Sequence, residues 1–378
     1  MAPAGTGASL EPAVREALAT VHDPELRRPI TELGMVDAVR VDADGTAHVH
    51  VLLTISGCPL RNTIVEDTTS AVGAVPGIAA VDVQLGVMTP EQRAALKEGL
   101  KRTTIPFTEP GSLTRVIAVA SGKGGVGKSS LTVNLACAMA ADGLRVGIID
   151  ADVHGFSVPG LMGITQAPTR MDEMILPPVA HGVKVISIGM FVEENQPVVW
   201  RGPMLHRALE QFLTDVHFGD LDVLLLDLPP GTGDVAISVG QLLPGSSILV
   251  ATTPQASAAA IAERAGALAS QTGQQVIGVV ENMSWLELPA GGRMHPFGSG
   301  GGARLAERLS ASLGTEVALL GEVPLDPRLR ECADAGSPVV VAAPDTAAAR
   351  AIADVARSLS HRPRGLAGLH LGVTPTRD

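Results

Sequence analysis

Ser121-Gly122-Lys123-Gly124-Gly125-Val126-Gly127-Lys128-Ser129-Ser130 is the stretch on which the reading of this chain turns. An apolar run, Val116–Ala120, precedes it and a helix-forming run, Ser129–Ala141, follows. The spacing is G-x-x-x-x-G-K-[ST], in the strand–loop–helix context that gives the pattern meaning. Glycines let the backbone curl until its N–H groups face a phosphate, and the start of the following helix adds a favourable dipole. Gly122, Lys123, Gly124, Gly125, Val126 and Gly127 are therefore read as a cradle for ATP. Lys128 would reach the β- and γ-phosphates, and the Ser129 hydroxyl would bind Mg²⁺.

Working outward, two acidic strand ends accompany the loop. Val146–Asp150 runs into Asp150-Ala151-Asp152, and Val223–Leu228 contains Asp227, followed by Pro229-Pro230-Gly231-Thr232-Gly233-Asp234. Carboxylates at the C-terminal ends of parallel strands face the crevice where such sheets bind ligands. Asp227, after buried apolar residues, is placed to hold Mg²⁺ directly or through water. Asp152 is read as a carboxylate of that crevice or a solvated loop acid, and Asp234 as a site residue or a helix cap.

Further apolar strands are expected at Val183–Ile188, Ser247–Ala251, Val276–Glu281 and Val317–Gly321, with helical stretches such as Met204–Val216 and Ala256–Gln271. Strands rich in Val, Ile and Leu that alternate with helices predict an α/β fold, a mostly parallel sheet with helices on both faces. Upstream, Val14–Val21 and Asn62–Val72 show helical spacing, while Ala47–Ile55 and Ala79–Leu85 alternate as strands. The predicted organisation is a small α+β domain over 10–100, a linker over 101–113, the α/β domain over 114–360 and a flexible tail over 361–378.

Charged residues are 18% of the chain and the net charge is −11, which argues against a nucleic-acid surface. There is no tyrosine and there are two tryptophans, so a base-stacking platform is not expected. No apolar run reaches membrane-spanning length, and the start does not read as a secretory signal. The three cysteines, Cys58, Cys137 and Cys332, are widely spaced and fit a reducing cytoplasm.

Lys123 within the K-G-G-x-G-K-S form, together with Asp150-Ala151-Asp152 and Asp227–Asp234, resembles the Mrp/ApbC group of P-loop ATPases, relatives of MinD and of nitrogenase iron protein. Glu281-Asn282-Met283-Ser284 and Pro296-Phe297-Gly298-Ser299-Gly300-Gly301-Gly302 are similar to that pattern too. The resemblance implies ATP hydrolysis coupled to a homodimer switch, with iron–sulfur clusters carried to apoproteins. It further implies that Lys123 crosses to the partner's nucleotide, Asp152 orients the attacking water, Gly231 feels the γ-phosphate and Asn282 bonds the adenine edge. His22-Asp23-Pro24-Glu25, Leu33-Gly34-Met35-Val36 and Leu53-Thr54-Ile55-Ser56-Gly57-Cys58-Pro59-Leu60 resemble a PaaD/SufT-type domain of iron–sulfur assembly.

The chain departs from the group in one place. Many relatives carry C-x-x-C between the E-N-M-S and F-G-S-G-G segments, whereas Trp285–His295 here contains no cysteine. A thiolate-bridged cluster at that place is excluded. Cys58, in a turn before a helical stretch, is then the candidate iron–sulfur ligand, or else a small buried apolar residue. Cys137 and Cys332 are expected in the core, and His295 on the surface. Two other readings stand beside the carrier: an ATPase regulator or chaperone without its own cluster, and a MinD/ParA-like positioning ATPase. The acidic balance and the Gly- and Pro-containing tail disfavour the latter.

Overall fold

The computed structural model describes residues 7–24, 26, 28–54, 60–100, 105–152, 155–171, 174–191, 202–231, 233–255, 269, 272–288 and 290–360. Cys58, Glu25, Thr232, nearly all of the helix expected over Ala256–Gln271 and the tail over 361–378 lie outside them.

The amino-terminal unit consists of α1 (Gly7–Leu18), β1 (Val36–Val41), β2 (Thr46–Leu53), α2 (Arg61–Gly73), β3 (Ala80–Val87) and α3 (Pro90–Leu100). β1 pairs antiparallel with β2, and β2 pairs parallel with β3 because α2 carries the chain back across the sheet. Val14 and Leu18 from α1, Ile64 and Val72 from α2, and Val49 and Val51 from β2 bury together as its core.

From residue 115 the chain supplies β4 (Arg115–Ser121), α4 (Lys128–Ala141), β5 (Val146–Asp150), α5 (Val158–Leu161), a small hairpin of β6 (Thr169–Met171) and β7 (Met174–Leu176), then β8 (Val179–Ala180) and β9 (Val183–Ser187). It continues with α6 (Gly202–Thr214), β10 (Val223–Asp227), α7 (Asp234–Leu242), β11 (Ser247–Thr252), β12 (Gln275–Asn282), a second hairpin of β13 (Leu286–Glu287) and β14 (Arg293–Met294), α8 (Gly301–Leu313), β15 (Leu319–Val323), α9 (Pro327–Asp334), α10 (Val339–Ala342) and α11 (Ala347–Ser360).

The main sheet has eight strands in the order β15-β12-β11-β4-β10-β5-β9-β8, all parallel except the edge strand β8. Alternation along each strand sorts side chains to opposite faces. Val116, Ala118 and Ala120 of β4 join Leu209 of α6, Val239 of α7 and Leu305 of α8 in one core. Ile117 and Val119 join Leu135 of α4 and Ile352 of α11 in another. The sheet is covered on both faces, as the Val/Ile/Leu-rich strands predict. Strand ends differ from the sequence reading by a residue or two; β15, expected over Val317–Gly321, runs Leu319–Val323.

Between the units, Pro106–Thr108 forms a 3₁₀ turn, and Phe107 meets Phe218 edge-on with ring centroids 6.1 Å apart. That part of the expected linker packs against the α/β core.

Candidate nucleotide site

The order of strands sets the site. β4 lies between β10 and β11, and β10 pairs in turn with β5, so Ser121, Asp227 and Asp150 end neighbouring strands at one edge of the sheet. The loop from Ser121 to Lys128 leaves β4 there. Gly125 and Gly127 both take φ of +78°, a left-handed backbone that side-chain-bearing residues rarely adopt. A Cβ on Gly127 would also fall 2.3 Å from Asn282 Nδ2, so only glycine fits on two counts. Val126 turns inward and anchors the loop in the core beneath α4. Gly127 precedes α4 without a side-chain cap, which leaves the first N–H groups of a 14-residue helix directed at the loop.

Asp227 is the hub of the site. Its Oδ1 pairs with Lys128 Nζ at 2.7 Å, with side chains 0% and 6% exposed respectively. The Ser129 hydroxyl donates to Oδ2 at 2.5 Å. Thr132 Oγ1 lies 3.0 Å from Oδ1 and 2.9 Å from Lys128 O. The loop lysine and serine are thus both satisfied by one carboxylate, which offsets the cost of burying it. Oxygen donors from Ser129 and Asp227 suit a hard divalent cation such as Mg²⁺. When bound there, Mg²⁺ would neutralise charge on the β- and γ-phosphate oxygens.

Asp150 sits directly across from Asp227 in the β5–β10 register and is fully buried. Burial, and then the Asp227 carboxylate, push its carboxyl up to about 7. Its Oδ1 accepts the Asp152 N–H at 3.2 Å, so the candidate catalytic Asp152 is held at the same strand end.

The other expected site residues are placed as follows. Lys123 Nζ donates to Gln255 Oε1 of its own chain at 2.5 Å. Gly231, with φ of +92°, donates its N–H to Ser121 O at 2.8 Å, tying the segment after Asp227 to the loop. Asn282 Nδ2 donates to Val126 O at 2.9 Å, and its Oδ1 accepts from the Met283 N–H, so this amide braces the loop. Asp234 is the first residue of α7, after the cap position Gly233. Thr132, Gln255 and Ser187 were not singled out from the sequence. Thr132 was readable, being one helical turn beyond Lys128 on the same face. Gln255 and Ser187 arrive by tertiary contact and carry no local signal.

The cysteine-free segment Trp285–His295 contains the β13–β14 hairpin, with the Arg293 guanidinium 4.2 Å from the Trp285 ring centroid. His295 is exposed, and its Nδ1 lies 3.0 Å from Ser284 O. Among the described residues no group of three or more His, Cys, Asp or Glu is placed to hold a metal ion. Cys137 and Cys332 are free and buried, and burial pushes the Cys137 thiol up to about 12. Neither is expected to react with iodoacetamide at pH 8 in the native protein, and both should react after denaturation. Native labelling of Cys137, read by peptide mass, would show that α4 opens from the core.

Comparison with known proteins agrees with this geometry. The family model for the NUBPL iron-transfer P-loop NTPase matches residues 112–360, and that for an iron–sulfur cluster assembly protein matches residues 11–85. The chain is 59% identical over 372 residues to an iron–sulfur cluster carrier protein of Mycobacterium bovis, covering 97% of this chain and 98% of that one. It is 37% identical over 352 residues to a protein of the same name in Escherichia coli K12, covering 92% and 91%. A nucleotide-binding protein of Archaeoglobus fulgidus, solved in complex with ADP, superposes with a TM-score of 0.53 at 36% identity, covering 62% of this chain and 92% of that one. With the phosphate loop, the Asp227 hub and the parallel sheet in place, the chain belongs to the NUBPL iron-transfer P-loop NTPase family.

Proposed function

We propose that this protein hydrolyses ATP as a homodimer and carries iron–sulfur clusters, as cargo, to apoproteins in the cytoplasm. The observation that carries the ATPase half is the Lys128–Ser129–Asp227 knot, which holds together the groups a triphosphate and its metal need. On this reading residues 122–129 cradle the phosphates, Ser129 and Asp227 hold Mg²⁺, and Asp152 orients the attacking water. Gly231 reports the γ-phosphate. Asn282 reaches the adenine edge beside Val126, and Lys123 leaves Gln255 to reach the partner's nucleotide. The cargo half is supported by the names of the relatives and by the assembly-protein match over residues 11–85. The ATPase unit is taken as 114–360, the assembly unit as 10–100, and 101–113 as their link. Among the described residues no helix is long and apolar enough to cross a membrane.

The test is reconstitution with iron and sulfide in the absence of oxygen. Protein that takes up a cluster, seen by absorbance and iron content, and passes it to an apoprotein in an ATP-dependent way meets the proposal. Protein that takes up neither iron nor sulfide ends the carrier role. A second reading, an ATPase that regulates other assembly proteins, is favoured by one observation: no cysteine lies in Trp285–His295.

Cys58 is the cysteine left for cargo, and one per subunit gives a dimer two thiolates, short of the four that a stable cluster takes. A bound cluster is therefore expected to be labile and oxygen-sensitive. Cys58→Ser should eliminate iron retention and leave ATP hydrolysis unchanged, whereas Cys137→Ser and Cys332→Ser should retain iron. A full cluster on Cys58→Ser would make Cys58 the wrong ligand.

A further inference from the structure

The β6–β7 hairpin follows Asp152 in the chain, but much of its apolar surface is not in the α/β core. Met171, Met174 and Leu176, only 1%, 8% and 1% exposed, bury in the same cluster as Val14, Met35, Val51 and Met88 of the amino-terminal unit. Ile175, between Met174 and Leu176, faces the other way and joins Leu209 and Val216 in the α/β core. Its N–H donates to Asp215 O at 2.9 Å, and its carbonyl accepts from His217 N at 2.8 Å. One short strand therefore alternates between two cores, as a period of two residues allows. Nearby, Leu26 O of the amino-terminal unit approaches to 3.9 Å of where a Cβ on Gly219 would stand.

The roots of this hairpin return to the nucleotide site. The Asp150 carboxylate accepts the Asp152 N–H at 3.2 Å and the Val158 N–H at 3.4 Å where the excursion begins. It accepts the Ser187 hydroxyl at 3.0 Å where the excursion ends. One buried side chain thus ties both ends of residues 152–187, and it faces Asp227 across the β5–β10 pair. On the ATPase reading, a triphosphate would compete with Asp227 for Lys128 and Ser129, and so would change the charge opposite Asp150 where both roots are tied. A bistable element contacted by two sites is the physical requirement for coupling them.

We propose that β6 and β7 are a docking arm through which the amino-terminal unit of the same chain reads the nucleotide state of the ATPase site. The inference rests on the ATPase reading and adds to it a route to the domain that resembles an iron–sulfur assembly module. It does not depend on whether Cys58 holds a cluster.

Hydrogen exchange of the full chain, with and without Mg²⁺ and a non-hydrolysable ATP analogue, tests it, with analogue affinity measured on the same samples. In the wild type, the analogue should change exchange several-fold in peptides covering β1 and β2 as well as in those covering β6 and β7. Met174→Ala should keep analogue affinity within about threefold and lose most of the change in β1 and β2, while Met174→Leu should retain it. Met171→Ala gives a second reading of the same arm should Met174→Ala loosen the amino-terminal unit before nucleotide is added. A wild type that binds the analogue with no change in β1 and β2 overturns the arm and leaves the ATPase reading standing. So does a change that persists undiminished in both alanine variants. A wild type that binds no analogue removes both.

Discussion

Lys128→Ala is expected to abolish ATP binding at concentrations that saturate the wild type and, in the same protein, to lower Tm. The first effect follows from the loss of the cation that meets the phosphates. The second follows from the state of the site without nucleotide. Among the described residues Lys128 Nζ is the cation paired with Asp227, whose side chain is wholly buried. Removing one member of a buried pair costs about 3–5 kcal/mol because it strands the other charge. Hydrogen bonds from Ser129 and Thr132 remain and place the cost toward the lower end. For a domain of this size that corresponds to a fall of roughly 6–20 °C in Tm. The double variant Lys128→Ala/Asp227→Asn should recover most of the Tm, since the stranded charge is gone, and none of the ATP binding. Calorimetric titration and thermal unfolding separate the two. ATP affinity within tenfold of wild type in Lys128→Ala would remove Lys128 from phosphate binding. An unchanged Tm would show that the pair with Asp227 is not kept in solution.

The phosphate loop and its two acidic strand ends were legible because their signal is local. A glycine pattern needs a strand before it and a helix after it, and all three lie within Arg115–Ala141. The parallel strands were legible because burial on both faces leaves unbroken runs such as Val223–Leu226. β1 was not read as a strand: Val36-Asp37-Ala38-Val39-Arg40-Val41 pairs with β2 through an irregularity between Val36 and Ala38, which breaks the alternation that marks a strand. The β6–β7 hairpin was not legible either. Its strands are three residues long, and the apolar partners of Met171, Met174 and Leu176 lie more than a hundred positions upstream in sequence for Val14 and Val51. The hydrogen bond between Lys123 and Gln255 spans 132 positions, so sequence reading had the lysine but not the residue that holds it. Asn282 was placed at the adenine edge by resemblance alone. Its contact with Val126 reaches across the end of β11, which lies between β12 and β4, and only the strand order brings those ends within reach.

That Lys123–Gln255 contact makes the largest kinetic effects a question of which chain completes which site. Asp152→Ala is expected to bind ATP nearly as the wild type does while turnover falls about 10²- to 10⁴-fold, as for a group that positions or deprotonates water. The backbone N–H of Asp152 that donates to Asp150 is kept by alanine, so this tie of the strand end survives the change. Lys123→Ala should also preserve folding, since it releases one side-chain contact to Gln255, and should lower turnover steeply. A cation brought in from a second subunit contributes about 10³- to 10⁵-fold in related phosphoryl-transfer sites. If Lys123 acts across the dimer, the two inactive variants complement each other. In a mixed dimer the Lys123→Ala chain keeps its own Asp152 and receives Lys123 from its partner, so one of the two sites is whole. Random exchange makes half the dimers mixed, so an equimolar mixture should recover about a quarter of the wild-type rate. The assay is ATP hydrolysis after subunit exchange has been verified by mass spectrometry of differently labelled chains. Recovery near a quarter assigns Lys123 to the partner's nucleotide, and the contact with Gln255 to the state before the dimer closes. Activity that stays at the sum of the two variants, with exchange complete, means that each site is finished by its own chain. Lys123 would then serve from where it lies beside Gln255, and ATP would have no need of a second subunit to be cleaved.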